Sequence, residues 1–150
     1  MDLNNPVTAT YVIAAGIMIL KLMGQGWITV YRMMKVGAGF RNPEDANKGL
    51  LNANPNPNQI EPNEYVERSR RMHLNDLENI PAFLVAGLLF SFTNPSLLLA
   101  QVLMYGFVAM RAMHFIAYSN AWSHEVRATF FTFGSLAIMF MAGYSIYYVF

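Results

Sequence analysis

The chain has no cysteine among its 150 residues. Disulfides, thiolate metal sites and a cysteine nucleophile are all excluded. Charge is also scarce. Asp, Glu, Lys and Arg make up 13% of the sequence, against roughly 25% in an average soluble domain. Lys plus Arg number 10 and Asp plus Glu 9, a net charge of +1. That leaves no basic excess to hold a phosphate backbone, and no nucleic-acid partner is expected. No glycine-rich phosphate loop precedes a helix, and no Ser-His-Asp arrangement is recognisable. Apolar residues are what the chain has instead: 55% of the total, with 11 Met, 11 Phe and 8 Tyr. Such a composition argues against both a soluble globular enzyme and a disordered chain, and the length implies one domain, residues 1–150.

Four stretches are long and apolar enough to test as membrane spans: Thr8 to about Tyr31, Ile80 to Phe92, Leu97 to about Tyr118, and Thr129 to Phe150. A bilayer core needs about 20 apolar helical residues. The first, third and fourth reach that length. The second reaches it only if its helix starts upstream, in the polar run from Glu64 to Asn79. The expected fold is therefore an all-α integral membrane protein, an antiparallel bundle of four transmembrane helices at about 8–34, 64–93, 96–119 and 126–150. Residues 35–63 form the connecting loop, rich in Asn, Pro and Gly, which reads as irregular and partly mobile. The first stretch starts with Asp2 rather than a basic segment, so it reads as a retained anchor. Strand alternation is absent, which disfavours a closed barrel. Lys35, Arg41, Lys48, Arg68, Arg70 and Arg71 cluster on and beside the long loop, which the positive-inside tendency places in the cytosol.

Charge within a spanning helix costs at least a few kcal/mol per group on insertion scales. The second helix nevertheless carries EYVERSRRMHLNDLENIPAF. Arg68, Arg71, Asn75 and Glu78 fall at spacings of three, four and three and line one face, with His73 and Asp76 on a neighbouring face and Leu74 and Leu77 opposite. On the third helix Arg111, His114 and Tyr118 stand at i, i+3 and i+7. Arg127 opens the fourth helix, and Lys21 and Gln25 interrupt the first. Each has a plain alternative: a solvated helix face, a snorkelling arginine, an interfacial tyrosine, or a lysine paired with a carboxylate for helix packing. Polar positions recurring on several helices at one depth point instead to a shared interior site. Several arginines around a water-accessible pocket suit a carboxylate-bearing ligand, and Glu78 suits a ligand ammonium. His73, Asp76 and Glu78 lack the spacing of a known metal site, so no metal is expected.

The run VERSRRMHLNDLENIPAFLVAGLLF resembles the signature of the membrane-associated proteins in eicosanoid and glutathione metabolism, the MAPEG family. FRNPEDA at Phe40–Ala46, RAMHFIAY at Arg111–Tyr118 and EVRATFF at Glu125–Phe131 are similar in the same order. Within the family the microsomal glutathione transferase type is the nearest. The resemblance implies a homotrimer in the endoplasmic reticulum, or in related membranes such as the mitochondrial outer membrane, with glutathione as co-substrate in sites facing the cytosol. It implies Arg71, Asn75 and Glu78 as glutathione contacts with Arg70 and His73 in support, His114 and Tyr118 from the third helix, and either Arg32 or Lys35 from the end of the first. Arg127 matches the arginine beside the glutathione sulfur. Asp76 matches an acid that orients polar neighbours, with Arg127 a candidate among them, and the two stand as the catalytic pair. Leu74, Ala128 and Phe131 replace the arginine, serine and tyrosine of the family's prostaglandin E synthases, and Pro81 sits one position earlier than in the mammalian motif.

A free thiol has a pKa near 8.5, and a nearby guanidinium favours its thiolate. The implied activity is conjugation of glutathione thiolate to lipophilic electrophiles arriving from the bilayer, with reduction of lipid hydroperoxides by the same thiolate, in detoxification. The competing readings are a glutathione-dependent prostaglandin E synthase and a non-catalytic membrane scaffold that presents fatty acid.

Overall fold

The computed structural model describes residues 2–150, all-helical apart from turns and loops. Four helices follow in order, α1 (Pro6–Val36), α2 (Glu64–Phe92), α3 (Leu97–Ser119) and α4 (His124–Val149), with two short 3-10 turns at Pro43–Ala46 and Pro57–Ile60. Three of them, α1, α3 and α4, are long and apolar enough to cross a membrane. The 29-residue α2 has the length without the composition.

Local chemistry explains the helix ends, which differ slightly from the expected ones. α1 starts at Pro6 rather than 8 because the Asn5 side chain accepts from the Val7 and Thr8 amides at 2.8 and 3.3 Å. It runs on to Val36 and stops at Gly37, whose φ of +58° is the left-handed conformation that favours glycine after a helix. α2 begins in the polar run, where the Asn63 side chain accepts from Tyr65 N at 3.0 Å and Glu64 and Glu67 suit the positive end of the helix dipole. It continues through Pro81, which has no amide hydrogen to offer the Leu77 carbonyl. Ser96 caps α3, accepting from Leu99 N at 3.4 Å. α4 starts at His124 rather than 126, the Ser123 carbonyl accepting from Arg127 N at 3.3 Å. Ala121, in the α3–α4 turn, has φ +56°, which costs an L-residue roughly 1–2 kcal/mol. Ala121→Gly should therefore raise the thermal midpoint of the detergent-solubilised protein. An unchanged or lower midpoint would mean that the turn carries no such strain.

The residues fall into two compact bodies, one comprising the stretch up to Leu22 with Asp76–Phe150, the other Met23–Asn75. In the first, the core is built from all four helices: Val7, Ala14 and Met18 of α1, Ile80, Phe83 and Phe90 of α2, Met104 and Phe107 of α3, and Met141 of α4. Phe83 and Phe107 stack with centroids 4.2 Å apart. Gly87 lets the Tyr11 ring lie against α2, where a Cβ would come within 3.2 Å of it, and the Tyr11 hydroxyl donates to Leu84 O at 2.9 Å. The buried stripe of α3 is Ala100, Met104, Phe107, Arg111, His114 and Ala117, so one helix face passes from apolar to polar along its length.

In the second body the Asn- and Pro-rich loop holds more structure than its composition suggests. Phe40 N donates to Gln59 O at 2.9 Å and Gly39 N to Glu61 O at 3.2 Å. Buried Gln59 accepts from Asn52 Nδ2 at 2.7 Å and donates to Asn54 O at 3.3 Å. Gly39, at φ +77°, packs where a Cβ would stand 3.1 Å from Val66.

Candidate functional site

The first body contains a buried charge cluster at which three helices meet. Asp76 of α2 accepts from the Lys21 ammonium of α1 on one carboxylate oxygen and from the Arg111 guanidinium of α3 on the other. The Asp76 and Arg111 side chains are each 1% exposed. Burying a carboxylate is costly unless opposite charge and hydrogen bonds compensate it. Here two cations from two other helices do so, which is why α2 can turn Asp76 inward. This revises the expected partition of α2. Its outward side holds Arg71 and Glu78 beside exposed Leu74 and Leu77, while Val66, Ser69, Met72, Asp76, Asn79, Ile80 and Phe83 are buried.

From Arg111 the polar stripe of α3 continues through buried His114 to half-buried Tyr118, their rings 5.4 Å apart. Arg127, from the first turns of α4, places its guanidinium carbon 4.4 Å from the Tyr118 ring centroid, a cation–π contact. Its Nε also donates to Ser123 O at 3.4 Å. Lys21, Asp76, Arg111 and Arg127 all lie within electrostatic reach of His114. The structure thus brings together Asp76, His114, Tyr118 and Arg127, with Asp76 held by Lys21 and Arg111, and Arg127 seated on Tyr118. Sequence reading offers Lys21 a carboxylate partner for helix packing, which Asp76 supplies, and gives Arg111 a place in the polar stripe of α3 without naming its partner. The signal was their charge at membrane depth. What joins them to Asp76 is the packing of three helices.

The remaining candidates lie in the second body, apart from Glu78, which is exposed in the first. Arg71 donates to Glu64 at 2.5 Å, and Arg68 pairs with the same carboxylate at 3.4 Å. Arg70 is drawn inward, donating to Gly39 O at 2.5 Å and pairing with Glu67, so it ties the loop to α2. Arg32 is buried, donating to Tyr65 O at 3.1 Å with its guanidinium 4.4 Å from the Tyr65 ring centroid. Lys35 is exposed. Of the two candidates at the end of α1, the exposed one is therefore Lys35. The His73 ring lies over α1 at Gly26, and Asn75 is half-buried.

At the other ends of α2 and α4, an open cavity of about 560 Å³ is lined by Leu89, Phe92, Ala142, Ile146, Val149 and Phe150 among others. The Thr93 and Ser145 hydroxyls on its wall donate to the Phe90 and Met141 carbonyls at 2.7 and 2.8 Å. Its surface is therefore almost wholly apolar.

The helices, the inward charges and the motif spacing define a membrane-type helical protein with a polar interior, and the sequence places it more closely. The MAPEG family model matches residues 10–147, and the chain belongs to that family. It is similar to microsomal glutathione S-transferase 1 of Rattus norvegicus, 37% identical over 116 residues, 77% of this chain and 74% of that protein. It is 36% identical to microsomal glutathione S-transferase 1 of Sus scrofa over 141 residues, 93% of this chain and 89% of that one. Prostaglandin E synthase of Homo sapiens is 29% identical over 140 residues, 93% of this chain and 88% of the relative.

Proposed function

We propose that the protein is an integral membrane glutathione transferase that conjugates glutathione thiolate to lipophilic electrophiles. The observation that carries this reading is the seating of Arg127 on Tyr118 beside buried His114, in a chain whose relatives include microsomal glutathione S-transferase 1. Arg127 lies at the start of α4, where a polar ligand can reach it from water. Its fixed charge near a bound thiol stabilises the thiolate. The thiol proton passes to solvent, and the thiolate attacks an electrophilic carbon, forming the C–S bond as the leaving group departs (halide from an aryl halide) or as an activated double bond takes up a proton. Arg71, Asn75 and Glu78 hold the tripeptide's charged ends, with His73 and exposed Lys35 in support, and Tyr118 orients Arg127. Arg70 and Arg32 serve at one remove, by fixing the loop and the first turn of α2. Asp76 acts through Arg111 rather than on the ligand. The same thiolate reduces lipid hydroperoxides: sulfur attacks the terminal peroxide oxygen, the O–O bond breaks to release the alcohol, and a second glutathione converts the sulfenic acid to glutathione disulfide and water.

In this reading α2 is a fourth span, the subunits form a homotrimer, and the sites face the cytosol from the endoplasmic reticulum or mitochondrial outer membrane. Neighbouring copies and lipid cover the exposed Leu74 and Leu77. The competing reading, an eicosanoid isomerase that returns its glutathione, is favoured by the prostaglandin E synthase relatives. Ala128 and Phe131, in place of that type's serine and tyrosine, weigh against it. A scaffold without catalysis would not need Arg127 and Tyr118 together.

Glu78→Gln removes the charge facing the ligand ammonium while leaving the buried cluster intact. Glutathione affinity should fall by about tenfold, as the loss of one charge-assisted hydrogen bond implies. Calorimetry with detergent-solubilised protein measures it, and unchanged affinity would remove Glu78 from the site.

A further inference from the structure

We propose that Arg111 is a positioning residue: gripped by Asp76, it fixes the rotation of α3 so that Tyr118 meets Arg127. The inference rests on the transferase reading only for its kinetic consequence.

Three observations carry it. Arg111, His114 and Tyr118 stand at i, i+3 and i+7, one stripe of α3, so any turn of the helix that moves Arg111 also moves Tyr118. Tyr118 lies about 10 Å along the axis from Arg111, at 1.5 Å rise per residue. The deep end of the stripe is fixed by the Arg111–Asp76 pair, with both side chains 1% exposed, and Lys21 braces the same carboxylate from α1. At the shallow end, the contact that faces Arg127 is with a tyrosine ring, 4.4 Å away. A ring face imposes little direction of its own, so the alignment must be set from elsewhere. The apolar contacts of α3 include the Phe83–Phe107 stack, which resists separation of the helices more than it resists rotation. The buried, charge-assisted hydrogen bond from Arg111 Nη2 to Asp76 Oδ1 supplies the missing directional constraint.

A simple electrostatic role for the cluster predicts something different. The charged and titratable groups facing the stripe are Lys21 from α1, Asp76 from α2, His114 on α3 itself and Arg127 from α4. If the cluster acted only through its field, removing one positive and one negative charge together would leave its sum unchanged and the bound thiol unaffected. If it acts by orientation, the same change releases α3.

The test is the double variant Lys21→Met/Asp76→Asn, which removes the carboxylate with one of its two cations and leaves only Arg111 without that partner, a smaller disruption than Asp76→Asn alone. Arg111→Lys serves as the conservative companion. The first readout is the pH profile of glutathione consumption. The double variant should lose about tenfold or more in kcat, because small misplacements of reacting groups have large rate effects. Its acid limb should move to higher pH and its glutathione affinity should change by less than about twofold, while Arg111→Lys recovers part of the rate. The second readout does not depend on activity. Cysteines introduced at Ile116 of α3 and Phe133 of α4, both exposed, are the sole thiols in a cysteine-free chain and accept spin labels. The interlabel distance distribution should broaden in the double variant. An unmoved acid limb with an unchanged distance distribution would overturn the proposal, as would a limb shift without broadening. If the parent consumes no glutathione yet the distances broaden, the orienting pair stands and the transferase reading falls.

Discussion

Replacing Arg127 with alanine should lower kcat for conjugation of an aryl halide by about 10²–10³-fold, the usual effect of removing one group that stabilises developing or resident charge at a reacting centre. Glutathione binding should survive in large part. The residues proposed to hold the tripeptide's ends are on α2, with Lys35 of α1 in support, and Arg127 makes its own contacts with the Tyr118 ring and the Ser123 carbonyl. A guanidinium near sulfur also shifts the thiol toward its ionised form. The variant should therefore recover part of its rate at high pH, where solvent alone ionises the thiol. Arg127→Lys should fall between the two, because an ammonium keeps the charge but loses the flat face that stacks on Tyr118. Difference ultraviolet spectroscopy of bound glutathione separates loss of thiolate from loss of binding. Equal turnover by the alanine variant would remove Arg127 from the chemistry.

The second large effect concerns stability. Asp76→Asn leaves Lys21 and Arg111 without the carboxylate both of them grip. Breaking a buried ion pair by removing one partner costs roughly 3–5 kcal/mol, enough to leave a membrane protein of ordinary stability poorly folded in detergent. The thermal midpoint should drop sharply. The paired variant Lys21→Met/Asp76→Asn should lose less, because only Arg111 rather than both cations is then left without the carboxylate. The ordering of these two midpoints is the informative result. If the single and the double variant melt together, Lys21 does not share the carboxylate's burial. A midpoint for Asp76→Asn equal to the parent's would mean that the buried cluster carries no stability.

Much of the helical organisation was legible in the sequence because length, hydropathy and breaks speak directly. The Thr93–Ser96 break, with its proline, separates α2 from α3 as its residues require. The helix ends were off by a residue or two because caps decide them, and the Asn5 and Ser123 contacts are details of backbone geometry. The family was legible in the resemblance of the HLNDLEN run and its companion motifs, and the match over residues 10–147 agrees. What stayed hidden was which way the polar residues of α2 face. Helical spacing groups Asp76 with His73 on one flank, but it cannot say that this flank is turned inward. That depends on Lys21 and Arg111, 55 and 35 residues away in sequence. Arg70 and Arg32 illustrate the same limit. Both are basic residues near a proposed anion site, and both spend their donors on backbone carbonyls, at Gly39 and Tyr65. Residue type suggests a ligand contact, and the structure adds that each also donates within the protein. The loop reads as irregular from its Asn and Pro content, yet Gln59 organises it through amide contacts that composition does not encode.

The most direct test of the transferase reading is glutathione consumption by the purified protein in detergent, with a generic aryl halide and with a lipid hydroperoxide, measured beside Arg127→Ala. Consumption of thiol with both substrates by the parent protein, falling at least a hundredfold in the variant, is the expected result. Glutathione bound but never consumed would contradict conjugation and favour the isomerase, and no binding at all would leave only the scaffold.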